Sequence, residues 1–380
     1  MSLIGSSKEK STPFWAFVAP SKPKVPNIQN TKWTINPIDN FILDKIKKAG
    51  HEHSERAEPR KLVRRAYLDL LGIPPTTEQL NSYLENKNPN TWSELIEQLL
   101  ASPLYGERWG RHWLDVARYS DSNGMDENIA HPEAYRYRNY VINAFNQDKP
   151  FNQFIIEQIA GDLLPAENSD KKREQTIAAG FLSVGPKMLA CDDPDKMRRD
   201  IADEQIDTTG RAFMGMTFGC ARCHDHKFDP ISIEDYYGLA GIFMSTKTLI
   251  KYSVVAQLHH HDLSTKEEKE RRNKISQLEK KISVKDIQKD TKKKLQEDVA
   301  TLKKDSPPPY EVLAVTEYPT KDVRVHLRGD YQTLGDTVPR RLPPAIAGQI
   351  QHPMPNDQSG RLELARWIAS EKNPLTARVI

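Results

Sequence analysis

Cysteine is scarce in this chain: three residues in 380. A cysteine-rich background, from which close pairs arise by accident, is thereby excluded. No second Cys-x-x-Cys and no His-x-x-x-His lies downstream at zinc-finger spacing. No apolar run reaches the roughly 18 residues that a membrane helix requires, and Met1 to Lys10 lacks the charged-then-apolar pattern of a secretory leader. Strong net charge is missing too. The formal charge is +3, and residues 265–304 alone hold 14 Lys and Arg against 8 Asp and Glu. The remainder is slightly acidic, with no basic patch interleaved with aromatic residues, so nucleic acid is not an expected partner.

Against that background, Cys220-Ala221-Arg222-Cys223-His224 stands out. Two cysteines three apart, followed at once by histidine, have the spacing that attaches a c-type haem. Each thiol can add to one haem vinyl group, and the adjacent imidazole reaches the iron from the proximal side. The same atoms permit another reading, a tetrahedral zinc held by Cys220, Cys223 and His224 or His226. A disulfide oxidoreductase fits less well, because its Cys-x-x-Cys opens a helix after a strand. Here the pair follows the apolar stretch Ala212 to Gly219. A plain pair of reduced thiols is the remaining alternative.

With 37% hydrophobic residues, the chain can bury a substantial core, as two units or one large unit with an insertion. The predicted fold is mainly α: a multi-helical domain with a protruding antiparallel helical hairpin and a small β unit near the C-terminus. Residues 1–36 form an extended arm rich in proline and aromatic side chains, packed through Trp15, Phe17 and Trp33. Residues 37–263 form the helical domain with the haem motif. Pro37 opens its first helix, Arg60 to Leu71 puts Leu62, Val63, Ala66, Tyr67, Leu70 and Leu71 on one face, and Thr91 to Leu100 repeats the period. Residues 264–305 form the charged hairpin, with Ser283 to Asp286 as its reversal. Residues 306–345 carry β-branched alternation at Val312 to Thr316 and Val323 to Leu327, then the turn Arg328-Gly329-Asp330. Residues 346–380 begin a further helical domain, cut off in an advancing helix.

The distal side of a haem needs its own candidates. Trp109, His112, Trp113, Val116 and Ala117 recur at helical spacing between Tyr105 and Tyr119. His112 is either a buried, satisfied core imidazole or the distal iron ligand. The thioethers of Met188, Met214, Met216 and Met244 are the other distal candidates, with Met214 and Met216 expected in the core. For an enzyme, His112, Asp115, Arg118 and Asp121 are the acid, base or binding groups. His226, two residues past His224, cannot take the opposite face of one iron. His259-His260-His261 reads as exposed polar sequence at the hairpin base that binds metal only adventitiously.

Several stretches together resemble a known family: Trp15-Ala16-Phe17, Asn36 to Ile42, Tyr67 to Thr76, Tyr105 to Trp109, His112 to Tyr119, and Cys220 to Pro230. They are similar to the planctomycete-type cytochrome c proteins, and in particular to their large domain of unknown function. In that family this domain often follows a small cytochrome c domain and precedes a second uncharacterised domain, whose beginning Gly360 to Ile380 resembles. The resemblance covers the chain from about Phe14 to its end. It implies an exported periplasmic or cell-surface protein, with a leader not present in this chain, and haem c at Cys220, Cys223 and His224. It also implies a role in electron transfer or in oxidative breakdown of polysaccharide. The expected function is that of an exported c-type cytochrome-like electron carrier with one covalent haem. A haem-dependent oxidoreductase acting on carbohydrate and a zinc-stapled interaction scaffold are the alternatives. The expected partner is a redox protein or small cytochrome c domain. Cys191 has no counterpart in the family pattern and receives no role.

Overall fold

Capping side chains and prolines fix where the helices start. Asn36 accepts hydrogen bonds from the backbone of Ile38 and Asp39 while Asp39 reaches back to the Asn36 N–H, and Pro37 occupies the first turn. The same reciprocal box recurs at Thr76 with Gln79, Ser232 with Asp235 and Thr265 with Glu268. Gly72 and Gly215 end two helices at φ of +75° and +64°, a left-handed conformation that glycine adopts without a Cβ clash.

The structure is a computed structural model that describes residues 14–28, 32–125, 127–251, 255–283, 288–304, 308–349, 351 and 353–379. The protein is mainly helical. The first half holds α1 (Pro37–Lys48), α2 (Pro59–Leu71), α3 (Thr77–Glu85), α4 (Thr91–Leu100), α5 (Pro103–Val116), α6 (Ala134–Asn146), α7 (Phe151–Ala160) and α8 (Ser169–Ala178). The long α9 (Pro194–Met214) and α10 (Ile233–Met244) flank the cysteine motif. A charged pair follows, α11 (Lys266–Ile282) and α12 (Lys289–Lys304), then α13 (Pro344–Ala347), α14 (Arg361–Ile368) and α15 (Thr376–Val379).

Among the described residues, eight short strands form four antiparallel two-stranded ribbons. β1 (Thr246–Lys247) pairs with β6 (Thr316–Glu317), β2 (Leu249–Lys251) with β3 (Gln257–Leu258), β4 (His260–Asp262) with β5 (Glu311–Leu313), and β7 (Val323–His326) with β8 (Leu334–Val338). Two of these ribbons join chain from before α11 to chain from after α12. The strands therefore close the base of the helical pair, which sequence alternation within 306–345 did not reveal. Ile275 and Val299 are the buried residues of the pair, and Lys303 bonds Glu279 at 2.7 Å. The reversal expected at Ser283 to Asp286 falls largely outside the described residues.

One large core holds the molecule together. Trp113 of α5 packs its ring against Phe154, Phe181 and Phe213, and its indole N–H donates to the Tyr137 hydroxyl at 2.9 Å. Val312, Val323 and Val338 from the ribbons and Leu364 and Ile368 from α14 belong to the same core. A separate cluster of Val63, Ala66, Tyr67, Leu95 and Leu99 joins α2 and α4. Of the N-terminal arm, Trp15–Phe17 forms a short 3₁₀ turn, and Arg378 donates to the carbonyls of Ala16 and Val18. No helix among the described residues is long and apolar enough to cross a membrane.

Candidate functional site

α9 delivers the chain to the cysteines. Its C-terminal Gly215 lets the backbone reverse, and Met216 donates to the Gly210 carbonyl at 3.1 Å. The chain then packs back on α9 so closely that a Cβ on Gly210 would lie 2.4 Å from the Phe218 ring. Phe218–Arg222 is a 3₁₀ turn. Side chains three apart eclipse each other in that geometry. Phe218 and Ala221 accordingly share a buried edge, while Cys220 within the turn and Cys223 at its end are exposed free thiols.

Arg222, one of the two residues between the cysteines, anchors the turn. Arg222 bonds Asp200 at 3.0 Å and Asp203 at 3.1 Å, and its carbonyl accepts from the buried Tyr237 hydroxyl at 2.9 Å. Tyr236 donates to Asp203 at 2.5 Å. Burial, with Asp203 beside it, pushes the Tyr236 phenol well above its usual range, so it stays protonated and donating.

The two histidines that follow have opposite tautomers. His224 is exposed, and its Nδ1 lies 2.8 Å from the Asp225 carbonyl. A carbonyl only accepts, so Nδ1 carries the proton and Nε2 presents its lone pair outward. His226 is half-buried, and its Nδ1 accepts from the Asp229 N–H at 2.8 Å while Nε2 faces the Thr217 hydroxyl at 3.1 Å. Both ring nitrogens of His226 are thus engaged in holding the loop. The donor atoms left outward-facing on this segment are the thiols of Cys220 and Cys223 and Nε2 of His224.

A second segment completes the surroundings. The turn Leu327–Gly329 lies against the motif so tightly that a Cβ on Gly329, whose φ is +78°, would sit 2.3 Å from the Cys223 sulfur. Beside it opens a mostly apolar cleft of about 270 Å³, whose lining includes Arg199, Arg222, Tyr237, Met244, His326 and Leu334. The His326 ring meets the Tyr237 ring edge-on at 4.9 Å, accepts from Arg199 at 3.3 Å on Nε2, and has no partner on Nδ1. Burial, with Arg199 and Arg222 nearby, brings this imidazole down to about 4, so it is neutral at physiological pH. His326 carries no local sequence signal, because its place in the cleft depends on the β7–β8 ribbon crossing α10.

His112 lies on the exposed side of α5. On α5 the inward residues are Gly106, Gly110, Trp113 and Leu114, followed by Ala117. That register leaves His112 exposed, its ring 5.5 Å from Trp109, and Trp109 and Val116 are exposed with it. The expectation of a buried core imidazole is corrected by this placement: the inward stripe runs through the two glycines that let α6 approach. Among the described residues no hydrogen bond, ion pair or ring contact joins His112 to Cys220, Cys223 or His224. The polar groups expected to act with it each take a partner of their own. Asp115 pairs with Arg111 at 3.2 Å, Asp121 accepts from Tyr119 at 2.5 Å, and Arg118 bonds Glu204. Glu204 also holds the buried Lys187 at 3.1 Å. Burial lowers the Lys187 ammonium from its ordinary value, with Glu204 opposing the shift. Among the methionines, Met214 and Met216 lie in the core as expected, Met188 is exposed, and Met244 lines the cleft.

Residues 37–248 match the family described as PSCyt2, a protein of unknown function (DUF1549). The match spans more than half of the chain and contains the cysteine turn. The chain belongs to this family. No curated protein and no solved structure matches it. Membership agrees with the planctomycete-type cytochrome-associated domain that the sequence resembles, and assigns the chain no reaction.

Proposed function

We propose that the protein carries one covalent haem on Cys220 and Cys223, with His224 as proximal ligand, and passes single electrons at its surface. The observation that carries this reading is the geometry of the 218–224 turn. Two exposed free thiols stand three residues apart at the turn, and the next residue is a histidine whose Nδ1 lies against a carbonyl, which leaves Nε2 for a metal. An outer hydrogen bond on one ring nitrogen is the usual way a protein orients the other toward a metal. The residues present thus fit the group. When bound, haem would supply a one-electron couple, tuned by its axial ligands and by its burial.

This chain's own residues hold that site rigidly. The Arg222 pairs with Asp200 and Asp203 fix the turn, His226 pins the loop after it, and the Gly329 backbone covers one side of Cys223. On this reading Met244 and His326, which line the adjacent cleft, would help His224 hold the group, ahead of the exposed His112. Covalent attachment of c-type haem takes place outside the cytoplasm, so the reading assigns the protein to the periplasm or cell surface. A redox protein or small cytochrome c domain is its partner. An iron with an open sixth position, revealed by carbon monoxide binding, would instead favour oxidation of a carbohydrate held near the cleft.

The test is a pyridine haemochrome spectrum of the chain exported in a host with c-type haem maturation, after acid-acetone extraction. An α-band typical of thioether-linked haem that survives extraction, and is lost in Cys220→Ser, supports the reading. Absence of haem with one zinc bound through the cysteines overturns it in favour of a zinc-stapled scaffold.

A further inference from the structure

The tract His259-His260-His261 is divided by strand alternation. His259 Nδ1 lies 3.1 Å from the Ala314 carbonyl, and His261 Nε2 lies 3.0 Å from the Val315 carbonyl. Those two rings tie β4 to the chain leaving β5. His260 between them points to the other face, where its Nδ1 lies 3.8 Å from Glu133 Oε2. That separation is too long for a hydrogen bond. Both atoms are nonetheless buried and without a hydrogen-bond partner. Two buried polar atoms that face each other across such a gap each carry a desolvation cost that no hydrogen bond offsets.

The β4–β5 register supplies a third donor. Asp262 stands opposite Glu311 and His260 opposite Leu313, so His260 and Glu311 are diagonal neighbours on one face. Glu133 comes to the same point from the residue that precedes α6. One ligand atom from each of Glu133, His260 and Glu311 lies within 4.8 Å of the other two. Among the described residues no lysine or arginine forms a salt bridge with either carboxylate. Two carboxylates this close repel each other unless a cation or proton intervenes.

We propose that Glu133, His260 and Glu311 bind a divalent transition-metal ion of the zinc class, with water in the remaining position. Bonds of about 2.0–2.2 Å to nitrogen and carboxylate oxygen place tetrahedral ligands about 3.4 Å apart, so ligand atoms that now stand within 4.8 Å of one another need to close by at most about 1.4 Å per pair. A mixed imidazole and carboxylate set suits zinc better than calcium or magnesium, which favour all-oxygen shells. The ion fastens the ribbon at the base of the helical pair to the start of α6. This site is independent of the cysteine turn and of the haem reading.

Calorimetric titration of Zn²⁺ into the chelator-treated full chain tests it, with metal content measured alongside. One zinc per chain is expected, retained in Cys220→Ser/Cys223→Ser, with affinity reduced at least about tenfold in His260→Ala and in Glu311→Gln. The glutamine variant keeps the side chain's shape and guards against misfolding as the cause, with circular dichroism as the check. Absence of zinc binding, an affinity unchanged in both variants, or a zinc that leaves only with the cysteine pair overturns the proposal.

Discussion

Single side chains decide what the cysteine turn presents. His224 and His226, two apart in sequence, have opposite tautomers because one faces a carbonyl and the other faces backbone N–H groups. His226→Ala removes the acceptor for Asp229 and the contact to Thr217. It is expected to lower unfolding free energy by about 1–3 kcal/mol in urea denaturation, the usual cost of unsatisfied buried partners. Gly329→Ala acts on the other side of the turn. Its φ of +78° and the 2.3 Å approach to Cys223 should together cost about 1–3 kcal/mol, and the yield of covalently attached haem should fall with it. His112→Ala, by contrast, should change stability by no more than about 0.5 kcal/mol, as at other exposed positions. It should also leave any low-spin haem spectrum unaltered. A high-spin shift in that variant would return His112 to the iron.

At the scale of elements, a buried ionic cluster joins α7, α8 and the loop before α7. Glu157, whose side chain is fully buried, bonds Lys149 at 2.5 Å and Lys171 at 3.0 Å and accepts from Tyr140 at 2.8 Å. Glu174 bonds the same two lysines. Burial alone would raise the Glu157 carboxyl, but hydrogen bonds from Lys149, Gln153, Tyr140 and Lys171 outweigh it and hold the group below its ordinary value. The sign follows directly: on acidification the unfolded chain takes up this proton before the folded one does. The stabilisation is therefore full above the ordinary carboxylate range and is lost as pH falls through the lowered value. Glu157→Gln should cost about 3 kcal/mol at neutral pH, near the lower end for a broken buried pair because Glu174 remains. It should also flatten the acid limb of a stability-against-pH curve measured by thermal melts; an unchanged limb would show that other carboxylates control it.

Across the whole molecule, Arg361 is the long-range clasp. Fully buried, it donates to Asp162 at 2.7 and 2.8 Å, to Glu317 at 3.1 Å and to the Ile159 carbonyl at 3.1 Å. One side chain from α14 thus meets the end of α7 and strand β6. The residues read from sequence as the opening of a separate domain contribute Leu364, Ala365 and Ile368 to the main core. Arg361→Met should cost about 3–5 kcal/mol, because it strands two carboxylates in the interior. The urea midpoint should drop while the m-value stays constant. A lowered m-value instead would mean that α14 detaches before the rest unfolds.

What the sequence by itself determined is local. Asn36-Pro37, Thr76 to Gln79 and Ser232 to Asp235 specify helix starts through caps that act within four residues, and the charged periodicity after Thr265 specifies the helical pair. The cysteine motif is legible for the same reason, since its chemistry is written in five consecutive residues. Tertiary structure alone decided which face of α5 turns inward, because glycine at 106 and 110 admits α6 and so rotates His112 to the surface. It alone placed His326 and Gly329 beside the cysteines, and set Glu133 across from His260 and Glu311. Such contacts depend on strand register and helix packing between segments tens to hundreds of residues apart, and nothing in the local pattern of either segment encodes its partner.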